Sequence, residues 1–408
     1  MSEVRVNNLS NENSSGGPTI SGITTYSGTD YFVLPQGDTG SRPANCPNGS
    51  LRFNTDTASV EYYRGNTIGW SQLDAELVNP LGGREETSYS NTSSNDGGLG
   101  TRLLLAGGRV SAPAFSDMIE YLTISTLGNT DDFGDLVSSH GNPNSQNGCA
   151  SRTRAMWLSG QLGSSPNYSN VIQAKEFAQL GDAFDFGDII GDARNGTGNL
   201  SNEIRALCFG GSTSDGSQPV AIDAVTIASQ GDAFDYGDLD YYKNNTANFA
   251  STTRGFMAGG TVTPVPRIDV TQYVTIMSEG TTTFFGDLTA VGSGSGRGVY
   301  NAIGYSNATR GIIHGGRDVN NNHKNCLQYI TMSTTGNSID FGDVAVGASQ
   351  QMGGSSPTRG VVGAGANPSA TIALEVVNII SLGNATDFGD CTARDEVLGA
   401  CSNGHGGL

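Results

Sequence analysis

The sequence lacks long apolar runs and is poor in charged residues. Charged residues make up 15% of the 408-residue chain, and no apolar segment approaches the roughly 18 residues of a membrane span. The opening residues, MSEVRVNNLSNENSS, lack the apolar core of a secretion signal. We therefore expect neither membrane insertion nor export by the general secretion route.

Basic residues are scarce relative to acidic ones. The formal net charge is −18 and the sequence pI is about 4.4. An acidic surface repels nucleic acid backbones, so we expect no nucleic acid partner. The charge favours solubility instead.

Cysteine and histidine are also too sparse and scattered for a zinc site. Six cysteines contain no CxxC pair, and the four histidines fall at unrelated positions. Reduced thiols are the favoured interpretation, with a Cys391–Cys401 bridge as the alternative. We expect no cofactor and no metal.

Extended helical periodicity is missing, whereas glycine is abundant. The chain has 59 Gly and no long run of apolar residues at helical spacing, which indicates an all-β protein. A short FGD-like motif recurs six times at intervals of 53, 50, 49, 56 and 47 residues between its aromatic residues. That is the period of a propeller blade. The repeated aromatics are Phe133, Phe186, Tyr236, Phe285, Phe341 and Phe388.

A second block precedes each motif and begins with an arginine followed by apolar residues and usually two glycines. Examples are RLLLAGG, RGFMAGG and RGIIHGG. Segments such as QYVTIMS alternate apolar and polar residues, which predicts a half-buried strand. Each repeat therefore divides into four strands. The arginines are Arg102, Arg154, Arg205, Arg254, Arg310 and Arg359.

The chain ends with one strand that has no partner after it. LGACSNG aligns with IGYSNAT of an internal repeat, while the first repeat has only NDGGLG in front of Arg102. We predict that Leu398 to Ser402 pairs beside Leu103 to Ala106 and closes the ring.

These repeats resemble the kelch repeat over about three quarters of the chain. The double glycines, as in Gly107 and Gly108, and the third-strand Tyr121, Tyr273 and Tyr329 match it, whereas Phe or Tyr of FGD replaces the fourth-strand tryptophan. The resemblance implies an all-β fold: a six-bladed kelch-like β-propeller preceded by a small N-terminal β-hairpin attachment module. The predicted domains are 1–80 for the module, 81–96 for a linker and 97–408 for the propeller.

The repeat motif has a structural and a chemical interpretation. We expect each aromatic to pack between blades, each glycine to allow close approach or a positive φ, and each aspartate to accept turn N–H bonds. We expect the arginines to pair with aspartates or carbonyls of a neighbouring blade. Calcium binding by the aspartates is the alternative, although one carboxylate per blade does not supply the roughly six oxygens of a calcium site.

The N-terminal segment resembles the leading module of virion structural and tail-fibre proteins of tailed phages, especially cyanophages. NGSLRFNTDTASVEYYRGNTIGW is its most specific part and predicts a hairpin of Ser50 to Phe53 and Val60 to Tyr63, ending in Trp70. A generic small β module is the alternative interpretation. Repeats of the ISTLGNATDFGDL type are similar to the same bacteriophage proteins.

The resemblance implies a viral structural protein that is located in the virion and assembled in the host bacterial cytoplasm. Its N-terminal module would dock on other virion proteins, and its propeller would serve host attachment by binding a host-surface polysaccharide or receptor. A decoration, collar or baseplate component without a ligand is the alternative. A lyase or hydrolase spike is a third, which we do not favour because no catalytic constellation stands out.

We expect self-association because the N-terminal module has few apolar residues with which to form a hydrophobic core of its own. We expect a homotrimer joined through this region, since a lone hairpin would bury its apolar residues poorly. Those residues are Val33, Leu34, Phe53, Tyr62, Tyr63, Ile68 and Trp70.

Variation between repeats locates the candidate ligand face. From arginine to aromatic the separation is 29 to 32 residues, whereas from aromatic to the next arginine it ranges from 18 to 25. Binding groups concentrate on variable loops of a rigid scaffold, and these loops carry aromatic and polar residues. Solvated loop residues with no ligand are the alternative interpretation. The candidates are His140, Asn142, Tyr168, Tyr241, Tyr242, Arg267, Tyr300, Arg317 and His323.

Overall fold

The computed structural model describes thirteen stretches of the chain: 34–44, 46–56, 59–65, 69–72, 101–111, 114–138, 140–141, 148–162, 168–262, 267–289, 298–367, 369–392 and 399–408. The secondary structure of these residues is all-β, with no helix among them. The chain divides into two compact units, Met1–Val78 and Asn79–Leu408. The predicted linker, 81–96, lies outside the described residues.

The N-terminal unit contains a four-stranded sheet. Its strands, in order across the sheet, are Gln36–Gly37, Leu51–Asn54, Ser59–Tyr63 and Trp70–Gln72. The predicted hairpin is present, with Leu51 opposite Tyr62 and Phe53 opposite Val60. Gln36–Gly37 adds a parallel strand on one side and Trp70–Gln72 an antiparallel strand on the other.

The interior of this small sheet is partly polar. Glu61 is fully buried and accepts hydrogen bonds from Arg42 and from Asn54 Nδ2, the latter at 2.8 Å. The bond from Arg42 lowers the pKa of the Glu61 carboxyl. Tyr63 is only 5% exposed, with its ring 5.3 Å from that of Trp70, because the hairpin is part of a four-stranded sheet and does not stand alone. Extra strands cover this side chain, which a lone hairpin could not do.

The second unit is built from six antiparallel sheets that we number 1 to 6. Each sheet has four main strands, which we call first to fourth. Sheet 1 consists of Gly399–Ser402, Arg102–Ala106, Met118–Thr123 and Asp131–Asp135; sheet 2 of Cys149–Ala150, Arg154–Leu162, Tyr168–Glu176 and Phe184–Asp188; and sheet 3 of Gly198–Ser201, Arg205–Phe209, Ala221–Thr226 and Phe234–Asp238. Sheet 4 consists of Ala247–Ala250, Arg254–Ala258, Val270–Thr275 and Thr283–Asp287; sheet 5 of Ile303–Ser306, Arg310–His314, Cys326–Thr331 and Ile339–Asp343; and sheet 6 of Met352–Ser355, Arg359–Gly363, Ala373–Asn378 and Thr386–Asp390.

Short strands decorate this framework. His140–Gly141 pairs with the far end of the second strand of sheet 2. Three small two-stranded pairs lie outside the main sheets. They are Arg109–Ser111 with Ala114–Phe115, Arg194–Asn195 with Ser212–Thr213, and Ala366–Asn367 with Ser369–Ala370.

Sheet 1 joins the two ends of the repeat region. Gly399–Ser402 pairs antiparallel with the strand Arg102–Ala106, and Ser402 lies opposite Leu103. This register confirms the pairing predicted from the unpartnered last strand.

Backbone hydrogen bonds join each sheet to the next in the same way. The N–H of the turn glycine five residues before each FGD aromatic donates to the carbonyl of the aromatic in the preceding sheet, as in Gly181 to Phe133 at 2.7 Å. The last bond of the series, from Gly128 to Phe388 at 3.0 Å, joins sheet 6 to sheet 1. The six joints therefore form a cycle.

The repeat arginines make a second set of joints. Each guanidinium donates to a backbone carbonyl just after the third strand of the next sheet, as in Arg310 to Ile379 at 3.0 Å. Arg359 of sheet 6 donates to the Ile124 carbonyl of sheet 1 at 3.3 Å. The partners are carbonyls rather than aspartates. Arg102, Arg154, Arg205 and Arg254 donate to Phe177, Ile227, Ile276 and Met332.

The FGD aspartates interact through their backbone, which differs from the expected carboxylate bonds. The N–H of Asp135 donates to the Asp182 carboxylate in the next sheet at 3.2 Å, and the N–H of Asp343 donates to Asn384 at 3.0 Å. The acceptor is the Asp or Asn that directly follows the turn glycine. Five of the six joints have it: Asn129, Asp182, Asp232, Asn337 and Asn384.

The FGD glycine makes this close approach possible. A Cβ on Gly134 would lie 2.0 Å from the Gly181 carbonyl oxygen, and one on Gly389 would lie 2.3 Å from that of Gly128. Their φ angles, 144° and 150°, are also unfavourable for other residues.

The FGD aromatics lie buried between neighbouring sheets. Phe133 packs with Leu104 of its own sheet and with Trp157 and Phe177 of sheet 2. Phe388 packs with Leu103 and Leu122 of sheet 1. The core is thus divided among the six interfaces between sheets.

Buried polar residues in the middle of some third strands add a further link. Gln173 accepts from the N–H of Val137 at 2.7 Å, and Glu120 accepts from that of Thr392 at 3.2 Å. Both acceptors are nearly fully buried. Buried polar groups need such partners, and here each one connects two sheets.

Candidate functional site

The irregular connections all emerge at one end of each sheet. In a four-stranded antiparallel sheet the first strand begins, the second ends, the third begins and the fourth ends on the same side. We call this the connection end and the opposite one the turn end. Apart from Asn142, which lies outside the described residues, every candidate binding residue falls at the connection end.

In every sheet a residue with a positive φ follows the repeat arginine by five positions. Gly315 and Gly316 have φ of 64° and 81°, and the other double glycines are similar. Where the first glycine is replaced, Ser159 and Ala364 take φ of 71° and 50°. The left-handed position is therefore kept in all six repeats, while the path that follows it differs: in sheet 2 the strand continues to Leu162.

Three candidates lie side by side between sheets 4 and 5. Tyr300 forms an antiparallel bridge with Arg317, and Arg317 forms another with His323. Directly paired residues project to the same face, so these side chains form a row. Tyr300 comes from the connection between the sheets, whereas Arg317 and His323 come from the loop that follows the second strand of sheet 5.

Arg267, from the loop that precedes the third strand of sheet 4, extends the row. Its guanidinium lies 4.3 Å from the centroid of the Tyr300 ring, which is a cation–π contact. The same group donates to the carbonyl of Asp318 and, at 2.7 Å, to Asn321 Oδ1. Arg267 is therefore held in place by the sheet 5 loop.

A network centred on Asp318 fixes that loop. Its carboxylate accepts from the backbone N–H groups of Asn320 and Asn322 and pairs with Lys324 Nζ at 2.8 Å. Burial raises the pKa of Asp318, but the bonds from Lys324 and Asn322 outweigh it and lower the pKa to about 2. The run DVNNNHK signals such a turn, although the sequence did not single out Asp318, Asn321 or Lys324.

Arg317 and His323 are the least satisfied members of the row. Within the described stretches, the Arg317 guanidinium has no hydrogen-bond or ion-pair partner, and neither its Nε nor His323 Nδ1 is bonded. Burial, followed by the charge of Arg317, lowers the pKa of His323. The imidazole therefore stays neutral near pH 7.

Tyr241 and Tyr242 lie in a different place, between sheets 3 and 4. The Tyr242 hydroxyl is 2.8 Å from Ser212 Oγ, and Lys243 Nζ lies 5.1 Å from the Tyr241 ring. Burial raises the pKa of Tyr241 to about 12 and lowers that of Lys243, 1% exposed, to about 7. The side chains of Tyr241 and Tyr242 are thus partly taken up by contacts within the protein.

The remaining candidates belong to sheet 2. Tyr168 is the first residue of the third strand and pairs with Gln161, and His140 pairs with Leu162 in backbone terms. Tyr168 is half-buried. The nine predicted residues are therefore spread over several connections, and only Arg267, Tyr300, Arg317 and His323 are brought together.

The first strands line a small central cavity. Its volume is about 40 Å³, and its lining includes Ser201, Ser306, Ser355, Ser402 and His405. The serines link neighbouring first strands, as in Ser306 Oγ to the Ala250 carbonyl at 2.7 Å. So narrow a space holds little more than a water molecule.

The residues after the last strand cover this cavity at the turn end. His405 Nε2 lies 2.9 Å from the Ala150 carbonyl, and the Gly406 N–H donates to Ser306 at 2.8 Å. A Cβ on Gly407 would lie 2.1 Å from the Ser201 carbonyl oxygen. This tail, Asn403 to Leu408, was not foreseen, since a glycine-rich end carries no strand or helix pattern.

The described residues offer little metal-binding or redox chemistry. Among them, no group of three or more His, Cys, Asp or Glu side chains could hold a metal ion. No disulfide joins any of the six cysteines, all of which lie in the described ranges, so Cys391 and Cys401 are not bridged. No helix in the described ranges is long and apolar enough to cross a membrane.

Comparison with known proteins adds no relative to this picture, since no family model and no curated protein matches the chain.

Proposed function

We propose that the six sheets are the blades of a kelch-like β-propeller. Two sets of joints support this proposal, because the turn-glycine bonds and the arginine bonds each run from sheet 1 through sheet 6 and return to sheet 1. Gly399–Ser402, which pairs with the Arg102–Ala106 strand, is the closing strand of such a ring. Small first-strand residues suit its crowded centre.

The proposed role is that of a structural protein of a tailed-phage virion, in a tail fibre or a similar appendage. The N-terminal unit docks on other virion proteins and joins three copies, and the propeller faces outward. The cyanophage-like segment NGSLRFNTDTASVEYYRGNTIGW supports this assignment. The separation of the chain into units Met1–Val78 and Asn79–Leu408 suits a division between docking and presentation.

The connection ends bind host-surface polysaccharide. The observation that carries this proposal is the row Arg267, Tyr300, Arg317 and His323, which brings aromatic and polar groups of different repeats together on a rigid framework. Aromatic rings and hydrogen-bonding groups on variable loops are suited to sugar recognition. A purely decorative component has no need of a half-buried arginine such as Arg317, which has no acceptor among the residues that the structure describes.

Adsorption of particles to host cells tests the proposal. Replacing Tyr168, Tyr241 and Tyr300 together with Ala should abolish adsorption without changing particle assembly. The matched control is Tyr121→Phe, which keeps the ring that lies under Arg102. Normal adsorption by the triple mutant would favour the decoration, collar or baseplate alternative, and release of reducing sugar from host envelope would instead indicate an enzyme.

A further inference from the structure

The row between sheets 4 and 5 is locally positive in a strongly acidic protein. Arg267 and Arg317 carry two positive charges in the row, and Lys324 beside it is paired with the carboxylate of Asp318. The chain as a whole has a net charge of −18. Positive groups that remain clustered in such a chain produce a local field that attracts anions.

The two arginines of the row have different tasks. The guanidinium of Arg267 is engaged within the protein, since it donates to the Asp318 carbonyl and to Asn321 Oδ1 and lies over the Tyr300 ring. Arg317 has no acceptor in the described part of the chain, yet it is half-buried and flanked on both sides by paired residues. A guanidinium is best satisfied by a planar oxyanion that accepts two of its N–H bonds.

Neighbouring groups make this position more than a lone surface charge. Tyr300 lies beside Arg317 on one side and His323 on the other. The imidazole can donate one hydrogen bond while neutral, whereas the Tyr300 hydroxyl already donates to Asn321 Oδ1 at 3.4 Å. An anion on Arg317 would therefore find a further donor in His323 and the edge of an aromatic ring in Tyr300.

We infer that Arg267, Tyr300, Arg317 and His323 form a subsite for the anionic group of an acidic sugar, a carboxylate or a sulfate, with Arg317 as its direct ligand. This inference rests on the proposed polysaccharide binding and specifies its ligand class. Arg267 and Asn321 hold Tyr300 in position, and Arg317 and His323 supply the donors. A neutral polysaccharide would leave Arg317 unpaired in the complex, which is unfavourable.

Titration of the full chain with four defined probes tests the subsite. The probes are an oligogalacturonate, its methyl ester, a sulfated galactan and the corresponding neutral galactan. We expect the acidic members to bind at least tenfold more tightly than their neutral counterparts, and the stronger of the two acidic members to identify carboxylate or sulfate as the preferred group. Added salt should weaken binding, because the interaction is between charges.

Two variants assign the effect to Arg317. Arg317→Gln should lose at least tenfold in affinity for the acidic probes, whereas Arg317→Lys should keep part of it. The control is Arg152→Gln, which removes an exposed arginine at the turn end. Equal binding of acidic and neutral probes, or unchanged affinity in a folded Arg317→Gln protein, would overturn the subsite and leave glycan binding standing. The subsite would also be overturned if none of the four probes bound and Arg317→Gln particles adsorbed to host cells normally. Particles that do not adsorb through this protein at all would count against the proposed function instead.

Discussion

The hydroxyl of Tyr236 donates to the carbonyl of Thr275 at 2.6 Å and lies 2.7 Å from the carbonyl of Ser278, both in the next sheet. Tyr236 is the one FGD aromatic that carries a hydroxyl. Its joint is also the one where Thr281 stands in place of the Asp or Asn that follows the turn glycine. The hydroxyl therefore replaces a side-chain link that the other five joints have.

This replacement predicts a specific rescue. Tyr236→Phe should lower the free energy of unfolding by about 1 kcal/mol, because a buried hydrogen bond between sheets is lost. Adding Thr281→Asn should restore much of the loss by supplying the acceptor for the Asp238 N–H. A double-mutant cycle by denaturant unfolding measures this coupling, with Tyr273→Phe as the control. A double variant no more stable than Tyr236→Phe would refute the compensation.

The FGD glycines should be far less tolerant than the turn glycines. A Cβ on Gly134 would meet the Gly181 carbonyl oxygen at 2.0 Å, whereas one on Gly128 would meet no atom within 4 Å. Both have similar φ, 144° and 150°, so backbone strain is matched. Gly134→Ala should cost about 3 kcal/mol more than Gly128→Ala, because a backbone contact cannot relax easily. Equal melting temperatures for the two variants would show that the sheets are not packed this closely.

The sequence predicted the framework well because each joint repeats. The alignment of LGACSNG with IGYSNAT was enough to predict that Gly399–Ser402 pairs with Leu103 to Ala106. The link from Asp182 to the Asp135 N–H was missed, because a polar residue after a turn glycine is also typical of any turn. A contact between two sheets joins residues far apart in the chain, so it leaves no recognisable pattern in the local sequence.

The candidate site was predictable only in part. Strand direction places Arg267, Tyr300 and Arg317 at the same end of their sheets, and that much follows from the repeat. The Tyr300–Arg317 bridge recurs in neighbouring repeats, as Asn195 with Ser212 and Asn244 with Thr261, so the repeat spacing could have predicted this pair. The contact of Arg267 with Tyr300 depends instead on the side chains of one loop. His405 could not be foreseen as part of the central cavity, because its position follows from the path of the tail.

Two truncations separate the roles of the last strand and the tail. Removing Glu396 to Leu408 takes away the partner of Arg102–Ala106 and exposes an unpaired strand edge, so the protein should associate. Removing only Gly404 to Leu408 keeps that pairing and should leave a monomeric repeat unit with a modest loss of stability. Light scattering and thermal melting of both truncations, in a chain that starts at Asn79, provide the measurement. A longer truncation that melts like the parent and stays monomeric would contradict the closing role of Gly399–Ser402.

Acid should release the tail through His405. Its Nδ1 accepts from the Gly407 N–H at 3.1 Å, so Nε2 carries the proton that is donated to the Ala150 carbonyl. Burial is the main cause that lowers the pKa of His405 from 6.5 to about 4, and the charge of Arg152 adds to it. Between pH 6.5 and about pH 4, the His405 imidazole therefore binds a proton more readily in the released tail than in the docked tail. Docking is therefore fully stable above about pH 6.5 and weakens as the pH falls towards 4.

Amide hydrogen exchange at Gly406 and Gly407 isolates this effect from that of buried His314, whose pKa is also lowered to about 4. Protection factors, corrected for the intrinsic pH dependence of exchange, should fall at these two amides between pH 6.5 and 4.5 while those of the Gly399–Ser402 strand stay high. His405→Gln keeps a donor to the Ala150 carbonyl and cannot be protonated, so its tail should lose this pH dependence. Protection at Gly407 that does not change with pH in the parent protein would show that His405 does not control the tail.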